Sequence, residues 1–270
     1  MKVRIISGVV GGILAVLILL LHKTFVFPLA IAALTCIALF ELCRAGKCLH
    51  CRISVGAGML YGAVMPFLCY YGNASAMTGI AFLCVMAMFL EMVLLHKHVR
   101  CQEVLFVAVV SLLVTASFDM LISLLHGSAY GLACVILALC SAWISDTGAY
   151  FSGTFLGKHK LCPEISPKKT GEGFFGGIIA DIAVMIVFAL ICHLITGAHV
   201  HYLWLAFAAV LCAVISVLGD LSASVLKRQQ GLKDFGNIMP GHGGVMDRFD
   251  SVLFTIPAFY ALECLYPIFY

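Results

Sequence analysis

Apolar residues in this chain do not alternate with polar ones, nor do they follow a one-sided helical stripe. They run on. Nine apolar segments can be marked, at roughly 4–21, 25–43, 53–71, 75–95, 104–125, 129–151, 174–196, 200–220 and 251–268. Apolar runs of about 18 or more residues read as membrane-crossing helices, because in lipid the backbone must satisfy its own hydrogen bonds. Short polar turns such as Gly72-Asn73 and His126-Gly127-Ser128 join neighbouring segments into helical hairpins. Only two connections are long, 152–173 and 221–250.

Composition agrees with the pattern. The 270 residues are 63% hydrophobic and 11% charged, with a mean hydropathy of +1.11, which excludes a soluble multi-domain protein. The predicted fold class is all-α: a polytopic integral membrane protein with about nine transmembrane helices, forming one catalytic domain over 1–270. The formal charge of +3 gives no reason to expect a nucleic-acid partner. Thirteen cysteines sit mostly singly inside apolar runs, where Cys behaves as a small hydrophobe, and they imply no disulfide framework. The first run follows Lys2 and Arg4 like a signal peptide. It lacks a small-residue cleavage site and continues into His22-Lys23, so it reads as an uncleaved first span.

Basic residues set an orientation. If the N-terminus and the loops after segments two, four, six and eight share one side, that side holds fifteen of the sixteen Lys and Arg, with Lys23 the exception. The positive-inside rule then predicts a cytoplasmic N-terminus, a C-terminus on the opposite side, and both long loops in the cytoplasm. Asp146, Asp220, Asp247 and Asp250 gather at that face beside Lys158, Lys160, Lys168, Lys169, Lys227, Arg228, Lys233 and Arg248.

The densest stretch is Gly219–Ser251, GDLSASVLKRQQGLKDFGNIMPGHGGVMDRFDS, with four of the seven Asp. If the helix of segment eight continues past the membrane, Asp220, Ser224 and Lys227 recur at i, i+4 and i+7 and share one face. Asp247 and Asp250 share a face if the helix of segment nine starts early. Converging carboxylates are what Mg²⁺ takes, usually together with phosphate oxygens and water. Pro240-Gly241-His242-Gly243-Gly244 can turn tightly and present backbone N–H groups to an anion. Lysines and arginines would neutralise the charge of a departing pyrophosphate. Composition alone also allows 221–250 to be an ordinary solvated loop. The density of Gly, Asp and Lys, and the return to lipid at Asp250-Ser251, count against that.

The pattern SxxKRxxxxKDxxxxxPGHGGxxDRxD, as it stands from Ser224 to Asp250, resembles the signature of the phosphatidate cytidylyltransferases, or CDP-diacylglycerol synthases. A second block, SDTGAYFSGTFLGKHKLCPEISPKKTGEGFFGG over Ser145–Gly177, is similar to another element of that family. Two positions depart from the family pattern: Ala223 where Glu is frequent, and Thr154 where a basic residue is frequent. The resemblance implies an integral membrane enzyme, placed in the cell's inner or plasma membrane, whose site faces the cytoplasm. It implies transfer of a cytidylyl group from CTP to phosphatidic acid, with the bilayer delivering the lipid. Under it, Asp220, Asp247 and Asp250 hold Mg²⁺, with K⁺ as a second cation, and Asp220, Lys227, Asp247 and Asp250 carry the chemistry. Lys227, Arg228, Lys233 and Arg248 grip phosphates, Ser224 and His242 add hydrogen bonds, and Gly243 and Gly244 line the turn. Lys168, Lys169 and Thr170 contribute to CTP binding from loop 145–177, which faces loop 219–251. A homodimer is expected from the resemblance alone.

Other features point to less. Cys48-Leu49-His50-Cys51, near Cys43, has the spacing of half a zinc site, but no second pair follows, and free thiols are the expectation. His96-x-His98 and His199-x-His201 read as interfacial polar residues. Acids inside apolar spans are functional candidates, since a charge there is costly: Asp181 as a group lining a cavity shared with the main site, Asp119 and Glu263 as structural acids. Two rival classes share the many spans: a secondary transporter with an acid-lined path, and a CTP-dependent lipid kinase. The clustering of charge at one face disfavours the first, and the HGGxxDRxD ending disfavours the second.

Overall fold

The computed structural model describes residues 2–239, 241 and 243–270, with side chains from Ser7 onward. Contacts divide the chain into two compact units. The first comprises Met1–Ser123 and Gln229–Phe249, the second Leu124–Arg228 and Asp250–Tyr270.

The first unit holds α1 (Lys2–Leu20), α2 (Val26–Ala45), α3 (Arg52–Tyr70), α4 (Ala74–Leu94), nearly all of α5 (Cys101–Gly127) and the short α9 (Met246–Phe249). Asn73 caps α4, its side chain accepting the Ala76 amide at 3.1 Å; this satisfies a backbone donor that a helix start leaves unpaired. Successive helices pack as neighbours, α1 on α2, α2 on α3 and α3 on α4. Small residues let α5 approach α3, where a Cβ at Gly58 would run into Ser111. The second unit holds α6 (Gly131–Leu156), an antiparallel hairpin of β1 (Lys160–Cys162) and β2 (Ser166–Thr170), α7 (Gly171–Thr196), α8 (Tyr202–Gln229) and α10 (Val252–Leu265). Thr170 ends the hairpin and starts the helix: its Oγ1 accepts the Gly173 amide at 3.1 Å.

Seven helices among the described residues, α2 to α8, are long and apolar enough to cross a membrane. Their exposed apolar side chains, Leu83, Phe82 and Val93 on α4 and Leu194 and Ile195 on α7 among them, are what a lipid-facing surface requires. These are seven of the nine expected spans. Segment one coincides with the 19 residues of α1, Lys2–Leu20. Segment nine is shortened at both ends. Asp250 and Ser251 precede the helix, and Tyr266 turns extended (φ −155°, ψ 112°) ahead of Pro267, the conformation that a following proline favours. The 14 residues of α10 span about 21 Å at 1.5 Å per residue, short of a hydrocarbon core of about 30 Å. One correction concerns Asp247 and Asp250. They do not share an extended helix: α9 ends at Phe249, and the two acids fall in different units.

The second unit is organised by α6 and α7, which approach almost backbone to backbone. A Cβ at Gly177 would lie 2.7 Å from the Ser145 carbonyl oxygen and 3.2 Å from Ala149 Cβ. One at Gly173 would lie 2.7 Å from the Ala149 carbonyl oxygen. In lipid the hydrophobic effect does not drive helices together, so close approach through small residues supplies the dispersion contact. The thirteen cysteines are all free, as the sequence predicts. Gly177→Val, with backbone on the far side of the contact, is expected to lower stability by about 1–3 kcal/mol, the usual range for overpacking; a thermal unfolding midpoint in detergent equal to that of the parent chain would refute the assignment.

Candidate active site

In the second unit the acids are gathered by the end of α8 and the start of α10. Asp220, Ser224 and Lys227 all lie on α8, which runs on to Gln229 as the spacing predicts. Gly219 is the reason α10 can come close: a Cβ there would lie 2.8 Å from the Asp250 carbonyl oxygen and 3.1 Å from Ser251 Cα. Ser251 then joins two acids. Its backbone N–H donates to Asp250 Oδ1 at 2.9 Å, and its hydroxyl donates to Asp146 Oδ2 at 3.0 Å. On the other side, Ser216 Oγ lies 3.5 Å from Asp146 Oδ1.

Two lysines answer the acids. Lys169 Nζ, from β2, is 2.5 Å from Asp220 Oδ2, and Lys227 Nζ is 3.8 Å from Asp250 Oδ2. The first pair links the two signature blocks, Ser145–Gly177 and Gly219–Ser251, whereas the expectation for Lys169 is a contact to CTP. Asp250 is 7% exposed. Burial pushes its carboxyl up to about 7, and the nearby charges of Asp220 and Asp146 push the same way, against the opposing pull of Lys227. Negative charge is therefore in surplus here, and the donors are carboxylates and hydroxyls. That is a hard-oxygen set of the kind Mg²⁺ takes.

Thr170 is turned to local use as the α7 cap, and Lys168, Arg228, Lys233 and Arg248 are exposed. Glu172 braces the hairpin, accepting the Lys158 amide at 3.1 Å and lying 2.6 Å from His159 Nδ1. Ala223 is buried on α8, and Thr154 donates to the Tyr150 carbonyl oxygen at 2.7 Å. Asp181 is fully buried against Ser141, whose hydroxyl donates to it at 2.6 Å. Its other carboxylate oxygen, Oδ1, is buried without a hydrogen-bond partner. Glu263 is structural as anticipated, accepting the Ile268 amide at 2.9 Å.

In the first unit, the glycine-rich turn is held by two buried carboxylates. Asp247 Oδ2 accepts the amides of Phe235 at 2.8 Å and Gly244 at 2.9 Å. Glu41, from α2, accepts the amides of Val245 at 3.1 Å and Met246 at 2.8 Å and is 1% exposed. A Cβ at Gly244 would lie 2.6 Å from Glu41 Cδ, so the chain passes where only glycine fits. Gly243 adopts φ +88°, a left-handed conformation that residues with a Cβ rarely take. One turn along α2, Arg44 Nη2 donates to the Phe235 carbonyl oxygen at 2.7 Å. His242 and Pro240 lie outside the described residues.

Sequence reasoning assigned no role to Glu41, Arg44, Ser216 or Ser251 and placed Asp146 only near the cluster. Glu41 had a usable signal, since it is an acid inside an apolar run, the rule applied to Asp119 and Asp181. Replacing it by Ala removes the acceptor of two buried amides, each costing about 1–3 kcal/mol unpaired. Glu41→Ala should therefore melt several degrees below the parent, with Glu41→Gln, which keeps one acceptor oxygen, in between. Equal midpoints for all three proteins would contradict this reading.

Comparison with known proteins converges on one family. The model of the cytidylyltransferase family matches residues 2–265. A phosphatidate cytidylyltransferase of Bacillus subtilis (strain 168) is 36% identical over 270 residues, 98% of each chain. Phosphatidate cytidylyltransferases of Staphylococcus epidermidis (strain ATCC 12228 / FDA PCI 1200) and Staphylococcus aureus (strain COL) are 46% identical over 127 residues and 43% over 128, each match covering 47% of both chains. With a match along nearly its whole length and both signature blocks in place, the chain belongs to the cytidylyltransferase family.

Proposed function

We propose that this chain is an integral membrane enzyme that transfers the cytidylyl group of CTP to phosphatidic acid, forming CDP-diacylglycerol and pyrophosphate. The observation that carries the reading is the carboxylate–lysine cluster of the second unit, assembled from both signature blocks at the ends of membrane-length helices. A phosphate oxygen of phosphatidate attacks the α-phosphorus of CTP. The bond from that phosphorus to the bridging oxygen breaks, and pyrophosphate leaves with the added negative charge. No acid or base must be generated, since both reactants are already anionic. The protein's task is positioning and neutralisation.

Asp220 and Asp250 are the residues of the second unit that would hold Mg²⁺, with Asp146 setting Ser251 beside them, and K⁺ is the second cation suggested by the family resemblance. Such a cation would offset the carboxylates' mutual repulsion and would supply charge neutralisation at the phosphate oxygens. Lys169 and Lys227 keep the acids apart until substrate arrives and then serve phosphate oxygens in their place. Ser224 and Arg228, on the same α8, serve the nucleotide phosphates, and Lys168 and Thr170 the nucleotide. In the first unit, Asp247 acts foremost by fixing the Gly243–Gly244 turn as an anion cradle, with its ligand role secondary. Lys233, His242 and Arg248 flank that turn in sequence and serve as phosphate contacts. The distribution of basic residues supports a site on the cytoplasmic side of the membrane, and the family resemblance adds a homodimer in the plasma membrane, which the mass of the detergent-solubilised particle would test.

The deciding assay supplies labelled CTP, Mg²⁺ and phosphatidic acid to the purified protein in detergent. Labelled CDP-lipid and pyrophosphate are expected. Phosphorylation of an isoprenoid alcohol instead would mark a lipid kinase, and solute flux in liposomes without either product a transporter. Asp220→Asn and Asp250→Asn should each reduce turnover at least ~100-fold, on the order of one lost electrostatic contact to the transition state; near-normal turnover in either would remove that acid from the site.

The raised Asp250 carboxyl makes a pH prediction. Folded, it holds a proton between its ordinary 3.8 and about 7 that the unfolded chain has lost. Its contribution to stability is thus fully present below 3.8 and is lost as pH rises through about 7. A cation at Asp250 must displace that proton. The apparent affinity for Mg²⁺ should therefore rise as pH climbs towards 7 and level off above it, in a titration of activity against Mg²⁺ at fixed CTP. A pH-independent Mg²⁺ requirement from 6 to 8 would detach Asp250 from the cation.

A further inference from the structure

The connection between α2 and α3 carries Cys48-Leu49-His50-Cys51, and the structure gives it a partner that lies far away in sequence. The Cys51 amide donates to the Cys48 carbonyl oxygen at 3.0 Å, so a tight turn holds the two cysteines close. Cys51 is fully buried and Cys48 is 2% exposed, while His50 is open to solvent. From the first turn of α5, Glu103 reaches this turn. Its Oε2 lies 3.1 Å from His50 Nε2, which in turn lies 3.7 Å from Cys51 Sγ. All three ligand atoms lie within 4.8 Å of one another, and among the described residues no other such trio of His, Cys, Asp or Glu occurs. None of these residues belongs to the signature blocks or to the carboxylate cluster.

We propose that His50 Nε2, Cys51 Sγ and Glu103 Oε2 bind one divalent transition-metal ion of the zinc class, with solvent in the fourth position; the Cys48 thiol donates instead to the Gly46 carbonyl oxygen at 3.1 Å. The hydrogen bonds orient the ring for this. His50 Nδ1 lies 3.1 Å from the Lys47 carbonyl oxygen, which can only accept, so Nδ1 carries the proton. In the neutral ring Nε2 then offers a lone pair, aimed at a carboxylate oxygen that also only accepts. Two acceptors 3.1 Å apart need a cation between them, and a buried thiol stands beside the same point. A proton on Nε2 is the competing answer. A backbone carbonyl on the far ring nitrogen is the usual support of a metal-binding histidine. Glu103 is fixed as well, its Oε2 accepting the Arg100 amide at 2.9 Å.

The donor set selects the ion. Thiolate and imidazole with one carboxylate suit zinc and its neighbours, whereas Mg²⁺ prefers oxygen alone. Ligands about 2.0–2.3 Å from a tetrahedral ion stand roughly 3.3–3.8 Å apart. The observed 3.1 and 3.7 Å need little adjustment. The ion would pin the α2–α3 connection to the start of α5, within the first unit. The end of α2 that it steadies carries Glu41 and Arg44, which hold the glycine-rich turn.

Full-length protein, purified in detergent under reductant and stripped with a chelator, is titrated with Co²⁺ as a spectroscopic substitute. A single equivalent should bind with thiolate-to-cobalt charge-transfer absorption, and Zn²⁺ should displace it. Cys51→Ser should abolish the band. His50→Gln and Glu103→Gln should weaken Co²⁺ binding by at least ~tenfold, while Cys264→Ser, an exposed cysteine of the second unit, leaves it unchanged. The catalytic acids bring no thiolate, so Co²⁺ bound there cannot mimic the signal. Should the variants misfold, the unmutated chain still decides: Zn²⁺ should slow alkylation of Cys51, mapped by mass spectrometry. No charge-transfer band, a band that survives Cys51→Ser, or alkylation at Cys51 indifferent to Zn²⁺ would each overturn the site, leaving a proton on His50.

Discussion

Carboxylates brought together where water is scarce repel one another, and the second unit depends on how that repulsion is managed. Asp220 is answered by Lys169 and Asp250 by Lys227, while Asp146 is held by the hydroxyls of Ser251 and Ser216. Burial first, and the charges of Asp220 and Asp146 after it, push the Asp250 carboxyl up to about 7. Such an arrangement is stable without substrate and improved by a cation. A perfectly neutralised cluster would have no reason to bind one, and an unneutralised cluster would cost too much to bury. Gly219 makes the compromise possible, because the absence of its side chain lets the chain at Asp250 press against α8.

The first unit uses the same chemical group in the opposite sense. Glu41 and Asp247 are buried with backbone amides as their partners, four N–H groups between them. A carboxylate that accepts several amides is comfortable in its charged form. It also fixes the direction of every peptide it touches. The turn through Gly243 and Gly244 is therefore shaped from behind by anions. One kind of residue is answered by lysines in one unit and by backbone amides in the other, and the difference lies in what each oxygen faces.

How much of this can be read from the order of residues varies with the physics involved. Segments two to eight follow from apolar runs alone, since lipid imposes one solution on the backbone; α2 to α7 lie within about five residues of them, and α8 runs on past its segment to Gln229. The face shared by Asp220, Ser224 and Lys227 follows from helical period. Glu41 does not, because its partners Val245 and Met246 lie some two hundred positions away and no local pattern connects them. The break between Asp247 and Asp250 was hidden for another reason: their three-residue spacing is equally good inside one helix and across the end of another. The hairpin 160–170 was missed because its alternation covers too few residues to stand out from a polar loop. Both signature blocks were visible as patterns, yet only packing revealed Lys169 on Asp220.

The glycine seam between α6 and α7 carries a consequence for the membrane around it. An enzyme that makes precursors of phospholipid alters, by its own turnover, the composition of the medium in which it is dissolved. Helices joined by bulky interdigitating side chains compete with acyl chains for the same kind of contact, so their union shifts as the lipids change. Where Gly173 and Gly177 bring backbone against backbone, no acyl chain can enter, and the contact is closed to the solvent that the protein is helping to produce. The frame bearing Asp146, the hairpin and Lys169 is thereby insulated from the product of its own reaction.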